Sequence, residues 1–302
     1  MFLQLIDIFV TVITPVFSLV GIGYVAGPRL KLEARTLSRS AYYLFIPAFV
    51  FDVISKAQVE AGELGRMVGL GIAIVLVTAM LGAGVALLLR RPKPVIAAFA
   101  LIASFGNVGN FGLPLIEFRL GGDALIPATI YFLTISLSAF VVGVGAAGYV
   151  RGGGLSAALS VLKTPALLAM IPAFFFARTG AAIPLPIERI ISLLAAAMIP
   201  VMLVALGVQL ASSTGLRLER DVWVASGARL LGGPVAAALL ALIFGVEGAS
   251  RATAIVQSGM PAAVLTSIIA LEYDLLPDFV TSTVLFSTLA SVLTLTLLLA
   301  MV

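Results

Sequence analysis

The sequence predicts an all-α polytopic membrane protein with ten transmembrane helices arranged as two inverted five-helix repeats. Three observations lead to this fold class. Hydrophobic residues make up 61% of the 302 residues and charged residues only 11%, far below the ~25% charged fraction of soluble domains. Apolar stretches follow one another with short connections. Landmarks of the first half also recur at a nearly constant spacing in the second half.

Ten apolar stretches, separated by charged residues or by turns rich in glycine and proline, are the predicted spans. They cover residues 5–26, 38–55, 66–89, 95–117, 123–149, 156–177, 188–211, 221–244, 251–271 and 278–301. A helix of ~20 apolar residues crosses the hydrocarbon core of a bilayer. The ten stretches therefore account for nearly the whole chain and leave no room for a nucleotide-binding or other soluble domain.

The chain contains no histidine and no cysteine. These two residue types supply most of the acid–base, thiolate and metal-ligand chemistry of proteins. We therefore expect no enzyme, no catalytic residue, no bound metal and no resident cofactor. We also expect a small molecule and the lipid bilayer as partners, with no nucleic acid.

The distribution of lysine and arginine predicts the orientation in the membrane. Alternate connections hold 11 of these residues in one set and 6 in the other. The richer set is expected to be cytoplasmic, which places both termini outside a multi-pass protein of the cell's inner (plasma) membrane. The first span has no basic residues before it and no small-residue cleavage site, so we do not expect it to be a removed signal peptide.

An internal duplication divides the chain into residues 1–150 and residues 151–302. Thr-Pro at 14–15 recurs 150 residues later at 164–165, and Ile-Pro at 46–47 recurs 153 residues later at 199–200. Because each copy holds five spans, an odd number, the two copies must insert in opposite orientations. Inverted repeats of this kind are found in many secondary transporters.

Two predicted helix breaks, in the fourth and ninth spans, carry the candidate site. The fourth span contains Ser-Phe-Gly-Asn-Val-Gly-Asn at 104–110, and the ninth contains Gln-Ser-Gly-Met-Pro at 257–261. Non-helical backbone at membrane depth is tolerated only inside protein or against a water-filled cavity, and paired breaks of this kind indicate a transporter's binding site. The candidate substrate-binding residues are Ser104, Gly106, Asn107, Asn110, Gln257, Ser258 and Pro261.

Three motifs resemble those of the auxin efflux carrier (PIN-FORMED) family. Residues 104–116 resemble its fourth-helix motif, Arg229-Leu-Leu-Gly-Gly-Pro234 its eighth-helix motif, and Ile255 to Pro261 its ninth helix. Plant members have Pro-Asn where this chain has Gly106-Asn107, and a long hydrophilic loop where it has about residues 150–163. The short form is similar to bacterial members associated with small dicarboxylates such as malonate and malate.

This resemblance implies a fold like that of the bile-acid/sodium symporters and sodium/proton antiporters. Spans 1, 2, 6 and 7 would form a scaffold, and spans 3–5 and 8–10 a mobile transport domain. That domain would contain the crossing broken helices 4 and 9 and move as an elevator in a homodimer. Asn107 and Pro261 would mark the crossover, with Asn107 in contact with the carboxylate of a substrate such as malonate, malate or an auxin-like acid.

Two charged residues inside spans are candidates for coupling or gating. Arg229 lies nine residues after Arg220, about 13 Å along a helix, and is expected to bind the substrate anion or to pair with a helix C-terminus or a carboxylate. Asp52 is either an interfacial residue or a proton-linked carboxylate. Sodium coupling, proton coupling and potential-driven transport all remain open. A sodium/proton antiporter on the same fold is the alternative function, although the breaks contain no acidic residue.

Overall fold

The computed structural model describes residues 2–151, 164–212 and 217–302, which form helices joined by short turns. We number them α1 (Leu3–Leu30), α2 (Ala34–Ser55), α3 (Ala61–Leu88), α4 (Lys93–Ser104), α5 (Leu113–Leu120), α6 (Leu125–Arg151), α7 (Pro165–Thr179), α8 (Leu185–Ala211), α9 (Arg220–Ile243), α10 (Gly248–Ser258), α11 (Val264–Glu272) and α12 (Pro277–Met301). Within these ranges the only extended pairing is an isolated antiparallel bridge between Gly106 and Ala262.

Seven helices of the described chain are long and apolar enough to cross a membrane, so the protein is a multi-pass membrane protein. They are α1, α2, α3, α8, α9, α12 and the segment Gly122–Gly143, which consists of the first part of α6 and the short turn before it. The predicted fourth span is divided into α4 and α5, and the ninth into α10 and α11. The predicted sixth span lies partly outside the described residues, and its described part is the 15-residue α7. The count of ten spans therefore stays a prediction.

Four prolines inside helices follow a π-helical turn that ends two residues earlier. The turns are Phe9–Ile13 before Pro15, Ala41–Phe45 before Pro47, Val108–Gly112 before Pro114 and Ala228–Gly232 before Pro234. Proline cannot donate a backbone hydrogen bond, and its ring clashes with the carbonyl four residues back. A wider turn relieves that clash without ending the helix. Two of these turns, Ala41–Phe45 and Val108–Gly112, contribute residues to the candidate site described below.

The helices pack in two groups. In one group α1 packs against α8, and α2 packs against α7 and α8. In the other, α3, α4 and α6 pack together, α9 packs against α10 and α12, and α11 packs against α12; α3 with α9 and α6 with α10 join these helices. The α1–α8 contact is so close that a Cβ on Gly23 or Gly207 would overlap the backbone of the other helix. Small residues commonly permit such close contacts between membrane helices.

Polar contacts between helix ends connect distant parts of the chain. Arg91 binds Asp221 through two nitrogen atoms, at 2.7 and 3.2 Å. Arg217 lies 3.3 Å from Asp278. At other helix ends, Arg119 donates to the carbonyl of Leu299, and Ser250 donates to Glu63. Each contact joins two helix ends that lie on the same side of the membrane if successive spans alternate in direction.

Candidate functional site

The two breaks cross each other in antiparallel fashion at the centre of the candidate site. The backbone N–H of Asn107 donates to the carbonyl of Pro261, and that of Ala263 donates to the carbonyl of Phe105, both at 2.8 Å. These bonds satisfy backbone groups that helix formation leaves unpaired, a requirement at membrane depth. The crossing is therefore a two-bond strip of sheet between four half-helices.

The first break begins where α4 ends at Ser104. Phe105 is extended, with φ −107° and ψ 90°, and Asn107 has φ −78° and ψ 56°, outside the helical region. The chain then re-enters a helix through the π-helical turn Val108–Gly112. A Cβ on Gly112 would overlap Gln257 of α10, so this glycine permits the close packing of the two broken spans.

A cavity of about 470 Å³ lies against the crossover. One wall is formed by α2, residues 164 and 166 at the start of α7, and α8. The other is formed by the first break, α6 and the start of α11. Its lining residues include Tyr42, Ile46, Phe105, Phe132, Leu137, Phe140, Met202, Val264 and Ile268. The cavity thus lies between the two packing groups of helices and is mainly apolar.

The electrostatics of the cavity favour an anion. Residues 108–110, which lead into α5, and residues 263–265, which begin α11, both line the cavity. The N-terminal end of a helix carries about half a positive charge, and its free N–H groups bind carboxylates and phosphates. Among the described residues that line the cavity, none is acidic or basic. The field of these helix ends is therefore not offset by a neighbouring carboxylate.

Asn107 is the polar side chain best placed to bind a ligand in the cavity. Only 6% of the residue is exposed, it lines the cavity, and its amide Nδ2 has no hydrogen-bond partner. A buried donor without a partner costs about 1–3 kcal/mol. A ligand that accepts a hydrogen bond from Nδ2 would remove this cost, so the site favours an acceptor such as a carboxylate oxygen.

The structure brings three of the predicted site residues together at the cavity: Gly106, Asn107 and Asn110. Asn110 is half-buried, one turn after Asn107. The other four lie around the crossover without lining the cavity. Ser104 and Ser258 donate to carbonyls of their own helices, those of Leu101 and Ala254.

Gln257 and Pro261 support the crossover from behind. Gln257 is fully buried, its Nε2 donates to the carbonyl of Ala128 in α6 at 3.3 Å, and its Oε1 has no partner. Pro261 contributes its carbonyl to the bond from Asn107. A direct role of either residue in binding stays a prediction.

The two candidate charged residues lie outside the cavity wall. Asp52 forms an ion pair of 2.7 Å with Lys56, the residue that follows the end of α2. Arg229 is 2% exposed and donates to the carbonyls of Ala103 and Met260. The sequence predicts that Arg229 binds the substrate anion or pairs with a helix C-terminus or a carboxylate. In the structure its partners are carbonyls at the C-terminal ends of helices.

Several residues that line the cavity carry no signal of a binding site in the sequence. Ser38, Ser136, Thr164 and Gln209 add polar groups to the wall, and the Nε2 of Gln209 donates to Ser38 at 3.1 Å. They lie on or beside regular helices without a glycine cluster or an intramembrane charge. Only the packing of distant helices brings them to the cavity.

These features define a class: a multi-pass membrane transporter with crossed, interrupted helices beside a central cavity. A family model described as membrane transport protein matches residues 8–143 and 154–299. The chain therefore belongs to this family, to which the auxin efflux carriers also belong, and the resemblance seen in the motifs is confirmed.

Three relatives match nearly the whole chain. A Rhizobium meliloti (strain 1021) protein named "Putative malonate transporter" is 27% identical over 299 residues, which cover 94% of this chain and 92% of that protein. An uncharacterized transporter of Methanothermobacter thermautotrophicus is 26% identical, over 93% and 94% of the two chains. An uncharacterized transporter of Methanocaldococcus jannaschii is 25% identical, over 95% and 96%.

Proposed function

We propose that the protein is a secondary transporter that moves a small organic carboxylate across the cytoplasmic membrane. The observation that carries this proposal is the crossover itself, where the first residues of two half-helices and Asn107, whose Nδ2 has no hydrogen-bond partner, line one cavity. The helix ends and the amide would hold the carboxylate, and the apolar wall would hold the organic part. The likeness to a protein named as a malonate transporter supports the same class of substrate.

The substrate class comprises malonate, malate and auxin-like acids. A cavity of about 470 Å³ admits all three, and its mainly apolar wall suits an acid with a hydrocarbon or aromatic body. The positive ends of the half-helices converge on one region, beside Gly106 and Asn107. One carboxylate of the substrate would bind there, and any second one would extend towards Asn110 or the polar groups of Ser38 and Gln209.

The proposed architecture has ten spans in two inverted repeats, residues 1–150 and 151–302. The packing supports it, since α1 against α8 and α7 against α2 are equivalent contacts under such a repeat, as are α3 against α4 and α9 against α10. The group α1, α2, α7 and α8 would be the scaffold, through which two copies would form a homodimer. The remaining helices would move as the transport domain of an elevator.

The proposed orientation places the cavity on the cytoplasmic side. The cavity extends from the crossover to Ser38, Thr164 and Gln209, which lie near the basic connections assigned to the cytoplasm. Towards the opposite side, Phe17 of α1 packs edge-on against Phe111, with ring centroids 5.1 Å apart. The conformation would thus be open inwards, with both termini outside the cell.

The cation antiporter on the same fold gains no support from the site. An antiporter needs an acid that takes up protons within the membrane. In the described part of the chain, the residues that line the cavity include no aspartate or glutamate, and Asp52 pairs with Lys56 away from it. Anion transport is therefore the function that the geometry favours.

Transport by purified protein in proteoliposomes tests the proposal. We expect uptake of at least one labelled acid among malonate, malate and indole acetate, with competition by unlabelled carboxylates and none by the matching amides. Imposing a sodium gradient, a proton gradient or a membrane potential one at a time identifies the coupling. Sodium–proton exchange without any organic anion, and no uptake of any carboxylate, would contradict the proposal.

A further inference from the structure

Arg229 is a fully enclosed cation in the middle of α9. It lies in the π-helical turn Ala228–Gly232, and 2% of the residue is exposed. A π-helical turn changes the direction in which its side chains project, and such turns are frequent at functional sites. A charge at this depth is costly unless it is paired, but Arg229 forms no ion pair with any of the described residues.

The partners of the guanidinium are the C-terminal ends of two half-helices. Its Nη1 donates to the carbonyl of Ala103, one residue before the end of α4, at 2.7 Å. Its Nε donates to the carbonyl of Met260, two residues past the end of α10, at 2.9 Å. One side chain thus binds the broken ends of both repeats, and the two bonds hold them at a fixed separation.

The charges of these groups nearly cancel. Each helix C-terminus carries about half a negative charge, and arginine carries one positive charge. Two C-termini therefore offset one guanidinium, while the N-termini that face the cavity keep their positive ends. Without Arg229, the negative ends of α4 and α10 would oppose an anion held on the other side of the crossover.

Gly106 separates Arg229 from the cavity. It lines the cavity, and a Cβ at this position would overlap Nη2 of Arg229, which has no hydrogen-bond partner. The guanidinium therefore lies directly behind the backbone of the residue next to Asn107. In this chain, the absence of a side chain at Gly106 lets the cation approach the site without entering it.

We propose that Arg229 is a positioning residue that makes the crossover selective for anions, by binding both half-helix C-termini and cancelling their negative ends behind Gly106. This inference rests on the proposed function, because it assigns the charge that selects the carboxylate. Arg229 does not touch the substrate. It acts through the electrostatic potential of the site and through the geometry of the two breaks.

The first test measures the potential at the cavity without any substrate. The chain has no cysteine, so Asn110→Cys introduces a single thiol at a half-buried position of the cavity wall. Its rate of reaction with methyl methanethiosulfonate as a function of pH reports how readily the thiolate forms. Adding Arg229→Gln should slow the reaction at pH 7 by about tenfold, since a buried unit charge behind the cavity wall is removed.

The second test measures the affinity of the purified protein for the carboxylate that the proteoliposome screen identifies. Arg229→Gln should weaken binding by about tenfold, whereas Arg229→Lys should bind like the wild type at low pH. A buried lysine gives up its proton far more readily than arginine does. Binding by the lysine variant should therefore fall towards that of the glutamine variant as the pH rises, a dependence that a merely structural role would not produce.

Two control substitutions lie on the same helix. Arg220→Gln removes an exposed arginine at the start of α9, and Gly227→Ala adds a Cβ where no atom lies within 4 Å. Both should leave thiol reactivity and affinity unchanged. Gly106→Ala, which displaces the guanidinium, should reproduce part of the effect of Arg229→Gln.

The outcomes separate the two proposals. Unchanged thiol reactivity in Arg229→Gln overturns the inference and leaves carboxylate transport standing. A slowed thiol with no carboxylate bound or transported by the wild type defeats the proposed function, while the role of Arg229 in the potential of the site stands. Equal affinity in wild type and Arg229→Gln would overturn the selectivity claim, because the anion would then bind equally well without the charge. If Arg229→Gln binds more weakly, the lysine variant at low pH separates loss of charge from loss of folding.

Discussion

The two breaks at the crossover share a backbone arrangement and differ in the side chains that they present. Each break donates one hydrogen bond to the other and accepts one, at 2.8 Å. The first break lines the cavity with Asn107 and Asn110, and the second lines it with Ala263 and Val264. The two breaks therefore share the crossing and its helix ends, whereas the polar side chains that either break contributes to the cavity wall come from the first one.

The difference arises from where the polar residues lie relative to the end of each first half-helix. α4 ends at Ser104, so Asn107 comes three residues after the helix and faces the cavity. α10 continues to Ser258, so Gln257 and Ser258 are still helical, and their side chains pack inside the protein. The polar residues of the two breaks thus lie at different positions relative to their helices and have different surroundings.

Asn107→Asp should have the largest effect, because it replaces the unpartnered donor with a carboxylate of the same size. Two carboxylates in one site repel each other, and at a buried position we expect transport to fall by at least about 100-fold at pH 7. Protonation of the new acid removes the repulsion, so activity should recover as the pH falls. Uptake in proteoliposomes between pH 5 and 8 measures both effects; equal activity at every pH would remove Asn107 from the site.

Ala263→Leu should have the next largest effect, and it tests whether the second break is only a wall. Ala263 lines the cavity with 6% exposure, and a larger side chain there reduces the space for the organic part. We expect KM for a bulky acid such as indole acetate to rise about tenfold. This change corresponds to a loss of binding free energy similar to the free-energy cost of overpacking a protein interior. Malonate, if it is transported, serves as the internal control, and an equal loss for both acids would contradict a steric effect.

Asn110→Ala should have a moderate effect. Asn110 lines the cavity one turn after Asn107 but is half-buried, so water can replace its hydrogen bond to a ligand. Loss of one neutral hydrogen bond should weaken binding about fivefold. Titration calorimetry with the transported acid measures this change, and an effect larger than that of Asn107→Ala would reverse the assigned order of the two amides.

Gln257→Leu and Ser258→Ala should have the smallest effects on binding. Gln257 donates to Ala128 behind the crossover, and Ser258 donates within its own helix. We expect affinity to change less than about twofold, with a change in unfolding free energy of about 1 kcal/mol. Binding and thermal unfolding of the same preparations separate the two quantities; a tenfold loss of affinity would place the second break in the site.

Much of the fold was predictable, because membrane insertion imposes strong patterns on a sequence. Long apolar stretches predict the spans, and the cluster of glycine and asparagine at 104–110 predicts the first break. The extents of α4, α5, α10 and α11 were not predictable, since prolines such as Pro114 can follow a π-helical turn without ending a helix. The division into two inverted repeats stays a proposal.

The candidate site was predictable in part. Gly106, Asn107 and Asn110 combine poor helix propensity with polar groups, which is a local signal, and the structure brings them to the cavity. The positions of Gln257 and Ser258 depend on the last turn of α10, which sequence patterns do not determine. The depth of Arg229 in its span predicted that it needs a partner, with a helix C-terminus among the options, but not which two carbonyls it binds, because backbone acceptors are present at every residue.

The most direct test of the account is the affinity of purified Asn107→Ala, compared with Gln257→Leu, for the acid that the wild type transports. The account predicts an affinity about 10- to 100-fold weaker for Asn107→Ala, the range for a hydrogen bond to a charged group. It predicts nearly wild-type affinity for Gln257→Leu. The reverse order, or wild-type affinity in Asn107→Ala, would contradict recognition of the carboxylate by the first break.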